Sequence, residues 1–374
     1  MSGSSDAIVV GAGIVGAACA AALARDGWRV TVLERSFASA GTTSVGMGHV
    51  VAMDDSPEQL ALTAYSARLW RELAPRLDAR SELDVCGTLW VAEDDAQLDA
   101  VHAKRVVYAA AGIDAELLDA AELARAEPRL RAGLRGALRV PADSVVYPPG
   151  ATLRLLEFAR ADGATLREGV EVLELLPNAV RCAGETIRAD VVVNAAGTTA
   201  PSLTRGLPIV PRKGHLAITD RYPRFCRHQI VELGYLTSAH AMTNESVAFN
   251  IQPRATGQLL IGSSRELVGW DARINHDILR RMLERAASFM PALRDLSVIR
   301  CWTGFRPATT DKLPLIGRWE PVPGLWIAAG HEGLGITTSL ATAALIADQL
   351  AGRATQIDAT SYSPMRVLSA GTAA

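Results

Sequence analysis

Apolar positions in the first 34 residues change period three times. Residues 7–10, AIVV, form an unbroken run rich in β-branched side chains, which reads as a short, fully buried strand. GAGIVG (11–16) interrupts that run. The Ala-rich AACAAALARDG that follows predicts a helix with Gly27 as its C-terminal stop. WRVTVLE (28–34) then predicts a second strand ending in Glu34. Residues 35–50, RSFASAGTTSVGMGHV, show no amphipathic period and are dense in Gly, Ser and Thr. A loop of this length inside a compact domain is usually functional or disordered. Periodicity resumes at SPEQ (56–59). Ser56 is the expected N-cap, Pro57 takes the first helical position and Gln59 closes a capping box. Leu60, Leu62, Tyr65, Leu69 and Trp70 carry the helix to about Leu73.

Further along, ADVVVNAAG (189–197) predicts a buried strand opening into a small-residue turn. Residues 324–350 repeat the order strand, glycine turn, helix. Between about 206 and 308 the period falls to two: PIVPRKGHLAITD, HQIVELGYLTS, SVAFNIQPR and GQLLIGSSR read as strands. Asp220, Pro223, Gly257 and Gln258 punctuate them. VCGTLWVAEDD (85–95) reads as another strand of the same sheet. Ile278, Met282, Ala286 and Phe289 place a helix at about 276–290, before Pro291. The expected fold is therefore α/β plus an antiparallel sheet: a Rossmann-like cofactor domain with a second, mainly antiparallel α+β substrate domain. The expected boundaries are 1–80, 143–205 and 309–374 for the first, 81–142 and 206–308 for the second. A chain of 374 residues is long for a single core. No internal repeat is visible, and only residues 369–374 read as a soft tail.

Composition narrows the function. Apolar residues make up 49% and charged residues 21%, a soluble globular profile. A formal net charge of -2 with no Lys/Arg block excludes nucleic acid as the main partner. Five scattered cysteines (19, 86, 182, 226, 301) lack any C-x-x-C, so neither a disulfide framework nor a metal site is expected, and the cytoplasm is the default location. Residues 7–24 carry no charge and approach the length of a membrane span. Three glycines in six residues and the change of period argue against one, and the absence of Lys or Arg before Asp6 argues against a signal peptide.

The first 34 residues have the order strand, G-x-G-x-x-G turn, helix, strand, acid, which is that of a dinucleotide-binding βαβ unit. Gly11 permits the tight turn, Gly13 lets backbone approach a pyrophosphate, and Gly16 lets helix and strand pack closely. The helix N-terminus, at Ile14 and Val15, offers N–H groups and a positive dipole end to phosphate. Glu34 suits ribose hydroxyls and would repel a 2′-phosphate. Thr42, Thr43 and Ser44 offer hydroxyls, and Gly46-Met47-Gly48 allows close backbone approach.

Four blocks together resemble the FAD-dependent oxidoreductases of the D-amino-acid oxidase type. They are residues 8–34, AGTTSVGMGHV (40–50), ADVVVNAAGTTAPSL (189–203), and the pair GFRPATTDKLPLIGRW and GLWIAAGHEGLGITTSLATA within 304–342. That family includes glycine and sarcosine oxidases and the flavin subunits of opine and D-hydroxyproline dehydrogenases. GMGHVVAMDDSP (46–57) looks most like the last two. The resemblance implies non-covalent FAD held by Gly11, Gly13, Ile14, Val15, Gly16, Glu34 and Arg35, then by Thr42, Thr43, Val45, Gly46, Met47 and Gly48. Val172, Ala196 and Gly197 follow, and Gly330, His331, Glu332, Gly333, Leu334, Gly335 and Ile336 lie against the flavin ring. His331 and Glu332 are expected to act there through backbone rather than side chain. His49 either faces the ring or keeps a local hydrogen bond.

The resemblance also implies hydride transfer from an amine to flavin N5, with Arg306 of G-F-R-P gripping the substrate carboxylate. The alternative for Arg306 is a structural ion pair, for instance with Asp311. Trp302, Gly304 and Phe305 would form an apolar wall beside it, while Lys213 and Cys301 read as structural. The pattern departs from glycine oxidase where Asn250 replaces a tyrosine, Gly333 an arginine and Arg265 an apolar residue. A larger or more polar amino acid, a D-amino acid, D-hydroxyproline or an opine-like N-substituted amino acid is therefore expected. Arg265 is either a second carboxylate contact or an exposed strand-end charge. Electron-transfer subunits, iron-sulfur among them, are the expected partners if the chain is one subunit of a complex. An FAD-binding subunit without amine oxidation and an NAD-dependent dehydrogenase remain as other classes.

Overall fold

The structure, a computed structural model, describes residues 6–234 and 245–370. Strand Asp6–Val10 lies inside a six-stranded sheet, parallel to Arg29–Glu34 on one side and Val191–Asn194 on the other. Thr165–Glu168 extends the sheet past Arg29–Glu34. Leu325–Ala329, and then the antiparallel Leu315–Arg318, extend it past Val191–Asn194. Ala7, Val9, Val30, Val32, Val191 and Val193 face a core made with helices Ile14–Arg25, Pro148–Ala161 and Gly335–Leu350. Ile8, Val10, Leu33 and Val192 face the opposite way, into a second core. That core is closed by a three-stranded sheet of Val172–Leu176, Ala179–Cys182 and Glu185–Arg188. Burial on both faces is why residues 7–10 read as a continuous apolar run instead of an alternating one. The alanines of the first helix let it lie close to both neighbouring helices. At its start, a Cβ on Gly16 would stand 2.0 Å from the Gly11 carbonyl oxygen.

The second sheet has eight strands in the order Val298–Thr309, Ile209–Thr219, Leu259–Glu266, Glu245–Pro253, Gln229–Glu232, Thr88–Ala92, Gly136–Val140, Glu116–Asp119. It is antiparallel except where Gln229–Glu232 runs parallel to Thr88–Ala92. Helix His276–Phe289 buries Ile278, Met282, Ala286 and Phe289 against it, with the Phe289 ring stacked on Phe249 at 4.7 Å. The expected strands and this helix are present. So is the helix Pro57–Leu73, whose Ser56 hydroxyl accepts from the Gln59 amide at 3.1 Å. The end of HQIVELGYLTS, from residue 235, and tail residues 371–374 lie outside the described residues.

One element changes the reading of G-F-R-P. Residues 301–309 are most of a twelve-residue edge strand, Val298–Thr309, paired along its length with Ile209–Thr219. Gly304 stands opposite Gly214, and Arg306 stands opposite Arg212. Trp302 is turned to the loop, its indole N–H donating to the Val45 carbonyl at 3.2 Å.

Because both atoms that crowd a Cβ on Gly16 are backbone, nothing flexible can make room. Gly16→Ala is expected to lower the thermal midpoint by roughly 5 °C or more. Scanning fluorimetry measures this, and an unchanged midpoint would show slack between helix and turn.

Candidate active site

A cleft of about 550 Å³ lies where the C-terminal ends of the parallel strands meet the eight-stranded sheet. At one end is Glu34. Its Oε2 accepts from the Ala12 amide at 2.9 Å and its Oε1 from the Ser36 amide at 3.0 Å, which fixes the carboxylate at the strand end. Next comes the N-terminus of helix Ile14–Arg25. Gly13 gives it no side-chain cap, and no acid lies in its first turn, so its positive end faces the cleft. Thr43 Oγ1 accepts from the Ile14 amide at 3.1 Å, and the Thr42 hydroxyl donates to the Phe305 carbonyl at 2.7 Å. The three hydroxyls that the sequence offers to a ligand are thus engaged in holding the loop, Ser44 Oγ donating to the Ala40 and Gly41 carbonyls, although Thr42 and Thr43 also line the cleft.

The remaining expected residues divide cleanly. Gly11, Gly13, Ile14, Val15, Glu34, Arg35, Val45, Gly46, Met47 and Gly48 line the cleft, as do Val172, Ala196, Gly197, His331, Glu332, Gly333, Gly335 and Ile336. Gly16, Gly330 and Leu334 do not. Gly16 acts through packing. A Cβ on Gly330 would meet Thr309 Cγ2 at 2.6 Å, and Leu334 faces a neighbouring smaller cavity.

That smaller cavity, of about 90 Å³, shares His49, Asn250, His331, Glu332 and Gly333 with the cleft. Arg306 faces the cleft, whereas Arg212, Arg265 and Lys312 face the smaller cavity. Arg306 Nη1 donates to the Ser264 carbonyl at 3.0 Å, and its guanidinium covers Gly214, where a Cβ would stand 2.3 Å from Nη1. Between the arginines lies Glu332. Its Oε1 is 3.6 Å from Arg212 Nη1 and 3.7 Å from Arg265 Nε, and its Oε2 accepts from the Gly333 amide at 2.7 Å. Burial pushes the Glu332 carboxyl up, but the charges of Arg265, Arg306 and Arg212 outweigh it, so the group lies below the ordinary carboxylate range.

The Glu332 side chain therefore has a position of its own, beyond the backbone role expected for it. The Asp311 alternative for Arg306 is not what the structure shows: Asp311 Oδ2 accepts from Arg366 Nε at 2.7 Å. Arg265 is 4% exposed, not an exposed strand-end charge. Asn250 is buried at the boundary of the two cavities, with Nδ2 3.4 Å from Ser263 Oγ. Lys213 turns away from both cavities to Glu266, at 3.3 Å, and to the Arg273 carbonyl. Arg212, its neighbour, was not singled out by sequence. Only the cross-strand register places it opposite Arg306. Burial lowers His49 to about 4 and His331 to about 3, so both rings are neutral at pH 7, and His331 Nε2 sits 2.9 Å from Thr342 Oγ1. No group of three or more His, Cys, Asp or Glu side chains among the described residues is placed to hold a metal, and none of their helices is long and apolar enough to cross a membrane.

The profile of the family described as FAD dependent oxidoreductase (DAO) matches residues 6–349. The chain belongs to that family. It is 28% identical to glycine oxidase of Geobacillus kaustophilus, over 96% of this chain and 97% of that protein. It is 29% identical to hydrogen cyanide synthase subunit HcnC of Pseudomonas aeruginosa, over 91% of each chain. D-amino acid dehydrogenase of Xanthobacter autotrophicus is 29% identical, over 96% of this chain and 98% of that protein. Among solved structures, glycine oxidase of Geobacillus kaustophilus superposes with a TM-score of 0.86 at 26% identity, covering 97% of this chain and 99% of that one. Iminodiacetate oxidase of Chelativorans sp. BNC1 superposes with a TM-score of 0.82 at 27% identity, covering 96% and 98%. The chain is accordingly an enzyme, an FAD-dependent oxidoreductase. Its residues fit the cofactor: an acid at the second strand's end, an acid-free helix N-terminus beside it, and a long cleft leading on to a second helix N-terminus at Gly335.

Behind the smaller cavity, the Ala52 amide donates to Asp143 Oδ1 at 3.4 Å. Burial pushes Asp143 up to about 7, although Ala52 N–H and the Lys104 charge oppose it. A raised carboxyl costs stability as pH rises from the unfolded value of 3.8 through about 7, and the loss then levels off. Asp143→Asn removes that dependence. Its thermal midpoint relative to wild type is expected to rise by several degrees between about pH 4 and pH 8. A difference that stays flat with pH would show that Asp143 is not raised.

Proposed function

We propose that this enzyme oxidises an amino acid or secondary amine to an imine, with Arg306 gripping the substrate carboxylate. The observation that carries this reading is the position of Arg306. Its guanidinium is held by Ser264 over Gly214 and faces the cleft beside Gly333, at the turn leading into helix Gly335–Leu350. A planar, permanently charged fork fixed in place is what bidentate carboxylate recognition requires. The neutral amine gives up a hydride from its α-carbon and is left as the iminium ion. FAD, when bound, supplies the two-electron acceptor for that hydride. The residues of this chain orient the α-carbon and exclude water. The surrounding positive charge also disfavours the ammonium form of the substrate, which cannot release hydride.

Within this reading, segments 1–80, 143–205 and 309–374 bind the cofactor, while 81–142 and 206–308 cover the substrate. The two large sheets draw their strands from these segments accordingly. A D-amino acid, D-hydroxyproline or an opine-like N-substituted amino acid suits the site better than glycine. Asn250, Gly333 and Arg265 open it and make it more polar, and the relatives named above act, by their names, on D-amino acids and iminodiacetate as well as glycine. A second reading makes the chain one subunit of a complex that passes electrons to an iron-sulfur or other electron-transfer subunit. Its support is the likeness to HcnC, itself a subunit. A cytoplasmic location accords with five free cysteines.

Purified protein supplied with FAD is expected to absorb near about 450 nm and to bleach anaerobically with a D-amino acid or N-alkyl amino acid. A colourless protein would sink the proposal. Arg306→Ala is expected to raise KM about 100-fold or more with flavin retained. Gly214→Ala, which drives a methyl group into the guanidinium, should give a smaller change of the same sign. Loss of flavin or fold in Arg306→Ala would instead mark a structural arginine.

A further inference from the structure

Resting on the amine-oxidation reading, we propose that the substrate carries a second carboxylate, bound in the smaller cavity by Arg265 and Arg212. The substrate class is then an acidic amino acid, with the extra acid on its side chain or on an N-carboxyalkyl arm.

The first observation is charge. Arg212, Arg265 and Lys312 line the smaller cavity with Asp55 and Glu332, while Arg306, Arg35, Glu34 and Glu171 line the cleft. The smaller cavity thus has three cations against two anions, an excess of one positive charge. Nearby acids are engaged elsewhere: Asp54 pairs with Lys104, Glu266 with Lys213, and Asp311 with Arg366. His49 and His331, being neutral, add no charge. Concentrating like charge in a buried site is unfavourable unless an anion joins it. One substrate carboxylate in the smaller cavity would cancel that excess, leaving Arg306 in the cleft for the other.

The second observation is placement. Arg306 faces the cleft, whereas Arg212 and Arg265, each 4% exposed, face the smaller cavity. The cations therefore address two spaces that meet at Asn250, Glu332 and Gly333. A molecule with an acid at each end and its amine between them spans that boundary. The cavity, at about 90 Å³, exceeds the room one water needs and suits a short arm.

The third observation is unmet hydrogen bonding. Trp90 Nε1 and Gln229 Oε1, on residues each 1% exposed that line the smaller cavity, have no hydrogen-bond partner. A buried polar group left this way is destabilising. The indole N–H donates to a carboxylate directly, and the Gln229 amide can turn to present its N–H₂.

The test uses the FAD-loaded enzyme and two matched pairs, D-glutamate against D-glutamine and N-(carboxymethyl)-D-alanine against N-ethyl-D-alanine. At least one acidic member is expected to reduce the flavin with kcat/KM about 100-fold above its neutral partner, and Arg265→Met should shrink that ratio by about 30-fold or more. Which pair shows the effect tells where the second acid resides. Thiodiacetate, a dicarboxylate with no amine, should perturb the flavin spectrum of wild type and bind about 30-fold more weakly to Arg265→Met. If that variant fails to fold, Arg265→Lys is measured for the same weakening. Neutral members that match or exceed their acidic partners, without thiodiacetate binding, would overturn this proposal and leave amine oxidation standing. Arg265-dependent thiodiacetate binding with no reduction by any amine would support the dicarboxylate site and overturn the amine reading. Neither binding nor reduction would remove both.

Discussion

The carboxylate of Glu332 organises the site. Arg212 and Arg306 stand directly opposite each other on paired strands, an arrangement that repels when nothing lies between. Glu332 supplies the intervening charge and extends it to Arg265. It does so from an unusual backbone, with φ at +48°, held by its amide donating to the Pro307 carbonyl at 2.8 Å and by its side chain accepting from Gly333. Glu332 belongs to the turn that follows strand Leu325–Ala329 of the parallel sheet, whereas Arg212, Arg265 and Arg306 belong to the eight-stranded one. The charge cluster is thus also a junction between the two halves of the molecule, and the cleft lies beside that junction.

The loop at residues 35–50 completes the junction. Its Thr42 hydroxyl donates to Phe305, its Val45 carbonyl accepts from Trp302, and its His49 carbonyl accepts from the Thr337 hydroxyl at 2.8 Å. Three short polar contacts strap a segment without regular period across the edge strand of one sheet and a helix of the other. Side chains that look like ligand donors in a sequence become fasteners, while the backbone between them remains available to the cleft.

What was legible in the sequence is what short-range chemistry dictates. The glycine turn and its helix declare themselves because glycine spacing, an Ala-rich run and an acid at a strand end each follow from local geometry. Strands buried on both faces were visible as apolar runs. Val298–Thr309 was hidden because an edge strand with mixed exposure shows no clean alternation. Arg212 was hidden for a different reason: its importance lies in register with a residue almost a hundred positions away, which no local pattern encodes. Arg265 was ambiguous because a charge at a strand end looks the same whether the strand faces water or a cavity. Gly16, Gly330 and Leu334, grouped with the cofactor by motif, do not line the cleft, and Gly16 keeps the packing role that its place in the turn predicts.

The order of the strands bears on how the molecule comes into being. Asp6–Val10 pairs with Val191–Asn194, which pairs in turn with Leu325–Ala329, so the parallel sheet joins the beginning, middle and end of the chain. Such pairings must close long loops before they are rewarded, and they form slowly. On a ribosome, the glycine turn at residues 11–16 emerges early, gains its second neighbouring strand only with residues 191–194, and waits for nearly the whole chain before the turn at Glu332 exists. The cofactor cleft is therefore one of the last features to be completed, and a chain halted short of residue 335 would lack helix Gly335–Leu350 and leave the apolar core face it covers exposed.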